Sequence, residues 1–238
     1  MFKVKIADFV IEIDNKYDFV KNQCREYEVS GETCDFAVSC TYEEIEAERA
    51  LSPENNFSDG YLESICLYRH ICLELPKRDA LIFHSAIIEV DKTAYAFAAR
   101  SGTGKSTHIS LWGKYLGNRV KVINGDKPII RFNGSEFIAY GTPWCGKEGW
   151  GENTSAPLKS ICFIERSEKN KIEKLDKPEA ASRLMRQLLM PADEQKAVKT
   201  LDLADKMLKT LDTWLLYCNI SEEAAKIAYE SMSGKDKK

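Results

Sequence analysis

The residues Ala99-Arg100-Ser101-Gly102-Thr103-Gly104-Lys105-Ser106-Thr107 combine types that could do chemistry together. Gly102 and Gly104 let a backbone turn its N–H groups inward, close to the oxygens of a bound phosphate. Lys105 places an ammonium at the same point, for the β- and γ-phosphates of a triphosphate, and the Ser106 hydroxyl follows as a ligand for Mg²⁺. The flanks suit that use. An apolar run at 94–98 leads in as a strand, and a helical pattern with Ile109, Trp112, Tyr115 and Leu116 leads out, with Gly117 placed to cap it. Strand, glycine loop, Lys-Ser and helix is the order a phosphate-binding loop requires, and the helix N-terminus adds partial positive charge there. Ala99 stands where the usual pattern starts with glycine, which is tolerable if its φ is negative. The loop therefore predicts ATP contacts from Arg100, Ser101, Gly102, Thr103, Gly104, Lys105, Ser106 and Thr107.

Such a site needs a carboxylate for the metal at the end of a neighbouring strand. The strand pattern at 120–123 runs into Asn124-Gly125-Asp126, making Ser106 and Asp126 the expected Mg²⁺ ligands; an Asp before Pro128 also suits a turn. His84 lies in an apolar stretch, 81–90, and a hairpin at Asp91-Lys92 would lay that strand beside the loop's own. There it is either a satisfied core histidine or a proton-transfer group with a suitable pKa. Residues 141–153 hold four glycines, Trp144, Trp150, Lys147 and Glu148 without periodicity. A loop of that length is either a solvated connector or a functional cover. In the second case Lys147 would neutralise a transferring phosphoryl group, with Glu148 and Glu152 as acid–base candidates.

Taken together, these motifs resemble HPr kinase/phosphorylase and, more distantly, ATP-dependent phosphoenolpyruvate carboxykinase, whose loop also reads S-G-T-G-K. They are most similar to small bacterial HPr-kinase-like proteins of that superfamily. Residues 79–165 carry the resemblance, with N-G-D-K-P at 124–128, Y-G-T-P-W-C-G-K-E at 140–148 and Gly151-Glu152-Asn153; 216–229 adds to it. It implies a P-loop kinase core with a mixed sheet, Mg–ATP as phosphoryl donor, and a histidine at 84 beside the transfer site. It also implies paired aspartates where this chain has Gly125-Asp126, so only the second carries over. The expected function is an ATP-dependent kinase phosphorylating a hydroxyl of a protein, peptide or small molecule, with His84, Lys105, Asp126 and Lys147 catalytic. The alternative is an ATP-binding regulator of the same fold without turnover.

Around these residues the patterns alternate between strand and helix, as in an α/β domain with a mixed sheet. Residues 2–13 alternate twice with a parity switch at Ala7-Asp8, reading as two strands. A helix near 17–27, a strand near 34–40, a helix from the capping box Thr41/Glu44, and a helix with Leu62, Ile65, Cys66, Arg69, Cys72 and Leu73 on one stripe complete an α+β lobe over 1–78. His70 lies off that stripe, as a surface or packing residue. The kinase core would occupy 79–233, with strands 129–132 and 137–140 around Asn133-Gly134, a strand at 160–165, and helices after Pro178 bearing Leu201, Ala204, Leu208 and Leu211 on one face. A strand at 214–218, a helix capped by Ser221 and a disordered tail at 234–238 follow.

The 238 residues are 44% hydrophobic and 30% charged, ordinary for a globular protein, with net charge −3. That balance argues against coating nucleic acid. Several of the eight cysteines fall within apolar patterns, no C-x-x-C pair occurs and only three histidines are present, so neither a disulfide scaffold nor a zinc site is expected. No run reaches transmembrane length, so the expectation is a cytoplasmic protein without membrane contact; self-association as a homo-oligomer stays open.

Overall fold

The computed structural model describes residues 1–100 and 102–234; Ser101 of the phosphate loop and 235–238 of the expected tail lie outside the described residues. Contacts divide the chain into two units, Met1–Leu75 and Pro76–Lys238. Among the described residues no helix is long and apolar enough to cross a membrane, and all eight cysteines are free.

In the first unit β1 (Phe2–Ile6) and β2 (Phe9–Asp14) form an antiparallel hairpin, and β3 (Phe36–Ser39) joins β2 in parallel. Ala7 and Asp8 take left-handed φ of 53° and 63°, which is how the parity switches between the strands. Three helices follow the predicted order: α1 (Asp18–Gln23), α2 (Tyr42–Ala50) and α3 (Asp59–Glu74). Thr41 and Glu44 form the capping box in both directions. The buried face of α3 is wider than its expected stripe: Glu63, Ser64, Leu67, Tyr68 and Ile71 are buried, while Arg69 pairs with Glu48 at 2.6 Å. Glu63 is buried because its carboxylate accepts the backbone N–H groups of Lys16 and Tyr17. His70 contacts the Ser39 carbonyl at 2.6 Å and Glu44 at 2.9 Å, a packing position.

In the second unit nine strands, among the described residues, build one mixed sheet. They are β4 (Ala80–Ile82), β5 (Ala86–Val90), β6 (Thr93–Ala98), β7 (Val120–Asn124), β8 (Ile129–Phe132), β9 (Phe137–Tyr140), β10 (Ser155–Arg166), β11 (Lys171–Lys174) and β12 (Asp212–Cys218). Their order is β4-β8-β9-β10-β6-β5-β7, with β12 on β10 and β11 on β12. β10 lies parallel to β6 and to β12; the other pairs are antiparallel. Four helices pack on the sheet: α4 (Lys105–Leu116), α5 (Lys177–Met185), α6 (Glu194–Thr210) and α7 (Glu222–Ser233).

The period-2 alternation of a strand sends successive side chains to opposite faces, and β6 shows what that does here. Ala94, Ala96 and Ala98 enter one core with Leu184, Leu203 and Met207 of α5 and α6. Tyr95, Phe97 and Ala99 enter the other with Ile109 and Trp112 of α4 and Ala224 and Ala228 of α7. The sheet is thus covered on both faces.

Four expectations needed correction. The stretch 81–90 is two strands, because the backbone of Phe83, His84 and Ser85 donates to the carbonyls of Pro128, Gln187 and Asp126 instead of a ladder. β10 begins at Ser155, and β11 was not anticipated in its charged sequence. On α6 the buried residues are Thr200, Leu203, Ala204 and Met207, leaving Leu201 exposed. Ser221 stands at the N-cap of α7, but its hydroxyl donates to Asn219 rather than capping the helix.

Candidate functional site

β6 runs directly into the glycine loop, and α4 starts at Lys105. Gly102 and Gly104 have φ of 75° and 119°, so both need glycine. Ala99 is not among the described residues with left-handed φ, and its methyl group is accommodated. Gly104 caps α4 without a side chain, so no side-chain oxygen competes for the helix's first N–H groups, which lack intrahelical acceptors. From the end of β10, Arg166 donates through Nε to the Thr103 carbonyl at 2.9 Å and through Nη2 to the Gly102 carbonyl. Both loop carbonyls thereby face a cation. The Thr103 N–H donates to the Arg100 carbonyl at 3.1 Å, closing a turn.

Three of the four predicted catalytic residues come together beside this loop. His84 Nε2 lies 3.1 Å from Asp126 Oδ1 and 3.4 Å from Lys105 Nζ, which also reaches the Ala99 carbonyl at 3.5 Å. One ring nitrogen either donates or accepts, so it serves only one of these partners. Its proton on the carboxylate side matches the shorter contact and leaves the lysine loosely held. Burial lowers the Lys105 pKa, partly offset by the charges of Asp126 and Glu148. For Asp126 burial acts upward but is outweighed by the His84 hydrogen bond and the charges of His84, Lys127 and Lys105, so its carboxyl lies below the ordinary value. The group stays ionised at neutral pH.

Asn124 organises this arrangement, and sequence reasoning passed over it. Its Oδ1 accepts the N–H groups of Asp126 at 2.8 Å and Lys127 at 2.7 Å, turning the chain so that Asp126 follows the end of β7. Its amide donates to Thr142 O and Oγ1 at 3.1 and 3.0 Å, which fastens the start of the 141–153 loop to the same turn. The available signal was an Asn two residues before the Asp, the pattern of an Asx turn. Gly125 N–H donates to the Trp150 carbonyl at 2.8 Å. A Cβ on Gly125 would lie 3.0 Å from the Cys145 carbonyl oxygen and 3.2 Å from that of Trp150. The loop backbone therefore occupies the place where a first aspartate would project.

The same loop packs Gly146 against Asp126, with Trp144 buried beneath. Lys147 is exposed, and no hydrogen bond or ion pair joins it to His84, Lys105 or Asp126. Among the described residues there is no cluster of three side chains able to hold a metal. The donors expected from the sequence are the Asp126 carboxylate and the Ser106 hydroxyl. These hard oxygens suit Mg²⁺, a cation that keeps substrate oxygens and waters as its remaining ligands.

Two clefts flank the loop. One, of about 680 Å³, opens on the α5 side and includes Arg100, Glu165, Arg183 and Gln187. The other, of about 520 Å³, opens on the α4 side between Leu111, Ile164, Cys218 and Ile220.

No protein-family model and no curated protein matches the chain. Among solved structures it is similar to the Hpr(Ser) kinase/phosphatase from Coxiella burnetii, at 8% identity over 65% of this chain and 94% of that one. The TM-score is 0.37, a distant likeness that carries no argument about what this chain does.

Proposed function

We propose that the second unit binds Mg–ATP on the 99–107 loop and transfers the γ-phosphoryl group to a hydroxyl of a protein, peptide or small molecule. The observation that carries this reading is the meeting of Lys105, His84 and Asp126 next to a glycine loop that opens a helix. The triphosphate takes the loop N–H groups and the α4 N-terminus, drawing Lys105 onto the β- and γ-phosphates. The apolar cleft on the α4 side suits the nucleoside. Asp126 and Ser106 would hold Mg²⁺, which would supply charge neutralisation during the transfer. The acceptor oxygen forms a bond to the γ-phosphorus, the bond to the β-bridging oxygen breaks, and ADP leaves. The acceptor proton goes to His84 at Nδ1, its Nε2–H remaining on Asp126, or to Asp126 itself. The eight free thiols accord with a cytoplasmic site of action.

A second reading is favoured by one observation: position 125 bears no carboxylate and its space is filled by loop backbone. On that reading the chain binds ATP as a regulator and does not turn it over. Incubation with γ-labelled ATP, Mg²⁺ and a dialysed soluble extract separates the two. A kinase passes label to an acceptor, and Lys105→Ala and Asp126→Asn abolish the transfer. ATP bound by calorimetry with its γ-phosphate intact and no labelled acceptor establishes the regulator, and absence of binding removes both readings.

A further inference from the structure

The cleft on the α5 side is set apart by its charge. Four of the ten arginines in the sequence line it, Arg100, Arg166, Arg183 and Arg186, and none of the lysines. Its two carboxylates, Glu165 and Glu179, are both taken by Arg183, at 2.7 and 2.8 Å. Arg166 is engaged with the neutral carbonyls of Gly102 and Thr103, so its charge is not cancelled. Arg100 and Arg186 have no side-chain acceptor among the described residues. The lining therefore has two more cations than anions, in a chain whose net charge is −3. Arginine presents a planar fork of donors that matches the paired oxygens of carboxylate and phosphate, which lysine does not.

The cleft also adjoins the proposed transfer site. Gln187, in its lining, accepts the backbone N–H of His84 at 2.9 Å. It opens on the face of the sheet covered by α5 and α6, whereas the apolar cleft opens by α4. A nucleoside in the apolar cleft leaves the arginine cleft free beside His84.

We propose that this cleft holds an oxyanion, carboxylate or phosphate, carried by the phosphoryl acceptor, so that the enzyme's substrate is an anionic molecule fixed by Arg186 and its neighbours. This rests on the phosphotransfer reading above. The three exposed apolar residues Met185, Leu189 and Met190 follow Arg183 closely in sequence, leaving room for an acceptor with an apolar body next to its charge.

The test is calorimetric, with inorganic phosphate and malonate as probes. Each is titrated into protein saturated with Mg²⁺ and the non-hydrolysable β,γ-imido analogue of ATP. The expected result is saturable binding of at least one probe with the nucleotide in place. Arg186→Gln, an exposed substitution, should weaken it roughly tenfold or more, the loss of a charge-assisted hydrogen bond, without changing nucleotide affinity. Binding of malonate assigns a carboxylate-bearing acceptor, and binding of phosphate alone a phosphate-bearing one. Two results overturn the proposal: anion binding that vanishes once nucleotide is present, since the arginines then serve the triphosphate, or an Arg186→Gln variant that binds both probes like the native protein. Failure of the phosphotransfer reading shows separately, as no heat on titrating the nucleotide itself; anion binding at Arg186 would then mark an oxyanion site unrelated to transfer, and the acceptor assignment falls.

Discussion

At the scale of single residues, the proton on His84 Nε2 governs what Lys105 is free to do. Held by Asp126, the imidazole offers Lys105 no acceptor, and the ammonium is left to a long contact with the Ala99 carbonyl. A triphosphate gives that partly buried cation strong acceptors. Lys105→Met should therefore weaken Mg–ATP binding by about two orders of magnitude, close to the loss of a charge-assisted bond in a dry site; unchanged affinity by calorimetry would place the phosphates elsewhere. His84→Ala separates chemistry from packing. The His84 side chain is 40% exposed, so its truncation leaves little cavity and the melting temperature should hardly move. Transfer should drop by roughly 10²–10⁴, the size of a general acid–base contribution, with nucleotide affinity kept. A variant that melts earlier yet transfers at the native rate would make His84 a packing residue. Sequence exposed this part of the site well, because glycine pairs, Lys-Ser and a strand-end Asp are local patterns. Arg166 was not legible, since its partners are the carbonyls of Gly102 and Thr103, more than sixty residues earlier in the chain.

At the scale of elements, the loop 141–153 and the turn after β7 act as one piece because both hang on Asn124. Asn124→Ala would strand two backbone N–H groups and remove the donor from the Thr142 carbonyl and hydroxyl. With buried unsatisfied groups costing about 1–3 kcal/mol each, the melting temperature should fall by several degrees and Mg²⁺-dependent ATP binding should weaken with it. Normal metal dependence in a stable Asn124→Ala protein would show that Asp126 needs no such positioning. Gly125→Asp restores an aspartate pair on paper. Its Cβ meets the Cys145 and Trp150 carbonyls, so the variant should lose about 1–3 kcal/mol by overpacking and gain no transfer rate. A more active, equally stable variant would mean that the loop yields easily. Elements with strong local signals, such as the hairpin β8–β9 around Asn133-Gly134 and the box at Thr41/Glu44, needed no tertiary information. The break between β4 and β5 did. Residues 81–90 are mostly apolar, and only the carbonyls of Pro128, Gln187 and Asp126 turn them out of a single strand.

At the scale of the molecule, a buried histidine on the first turn of α4, outside the His84–Asp126–Lys105 group, ties stability to pH. His108 is buried between Phe97 and Trp112, and the indole N–H donates to its Nε2 at 2.9 Å, which leaves the neutral ring with its proton on Nδ1. Burial pushes its pKa down to about 3. A depressed pKa means that the unfolded chain binds the proton first. Stability is therefore full above about pH 6.5 and is lost on acidification from there toward pH 3, at about 1.4 kcal/mol per pH unit. Melting curves should show that slope, and His108→Gln, which keeps an acceptor for the indole without titrating, should flatten it; an unchanged slope would put the acid sensitivity elsewhere. The order of the sheet has a consequence for assembly. β12 lies between β10 and β11, both of which precede it in the chain. On the ribosome these two strands emerge one after the other and must stay a strand's width apart while α5 and α6 are made. Until Asp212–Cys218 arrives, the slot exposes two unpaired strand edges, an invitation to capture a strand from another chain. The same slot makes the molecule divisible: cut between α5 and α6, the two fragments should find each other again, with the last strand acting as the key.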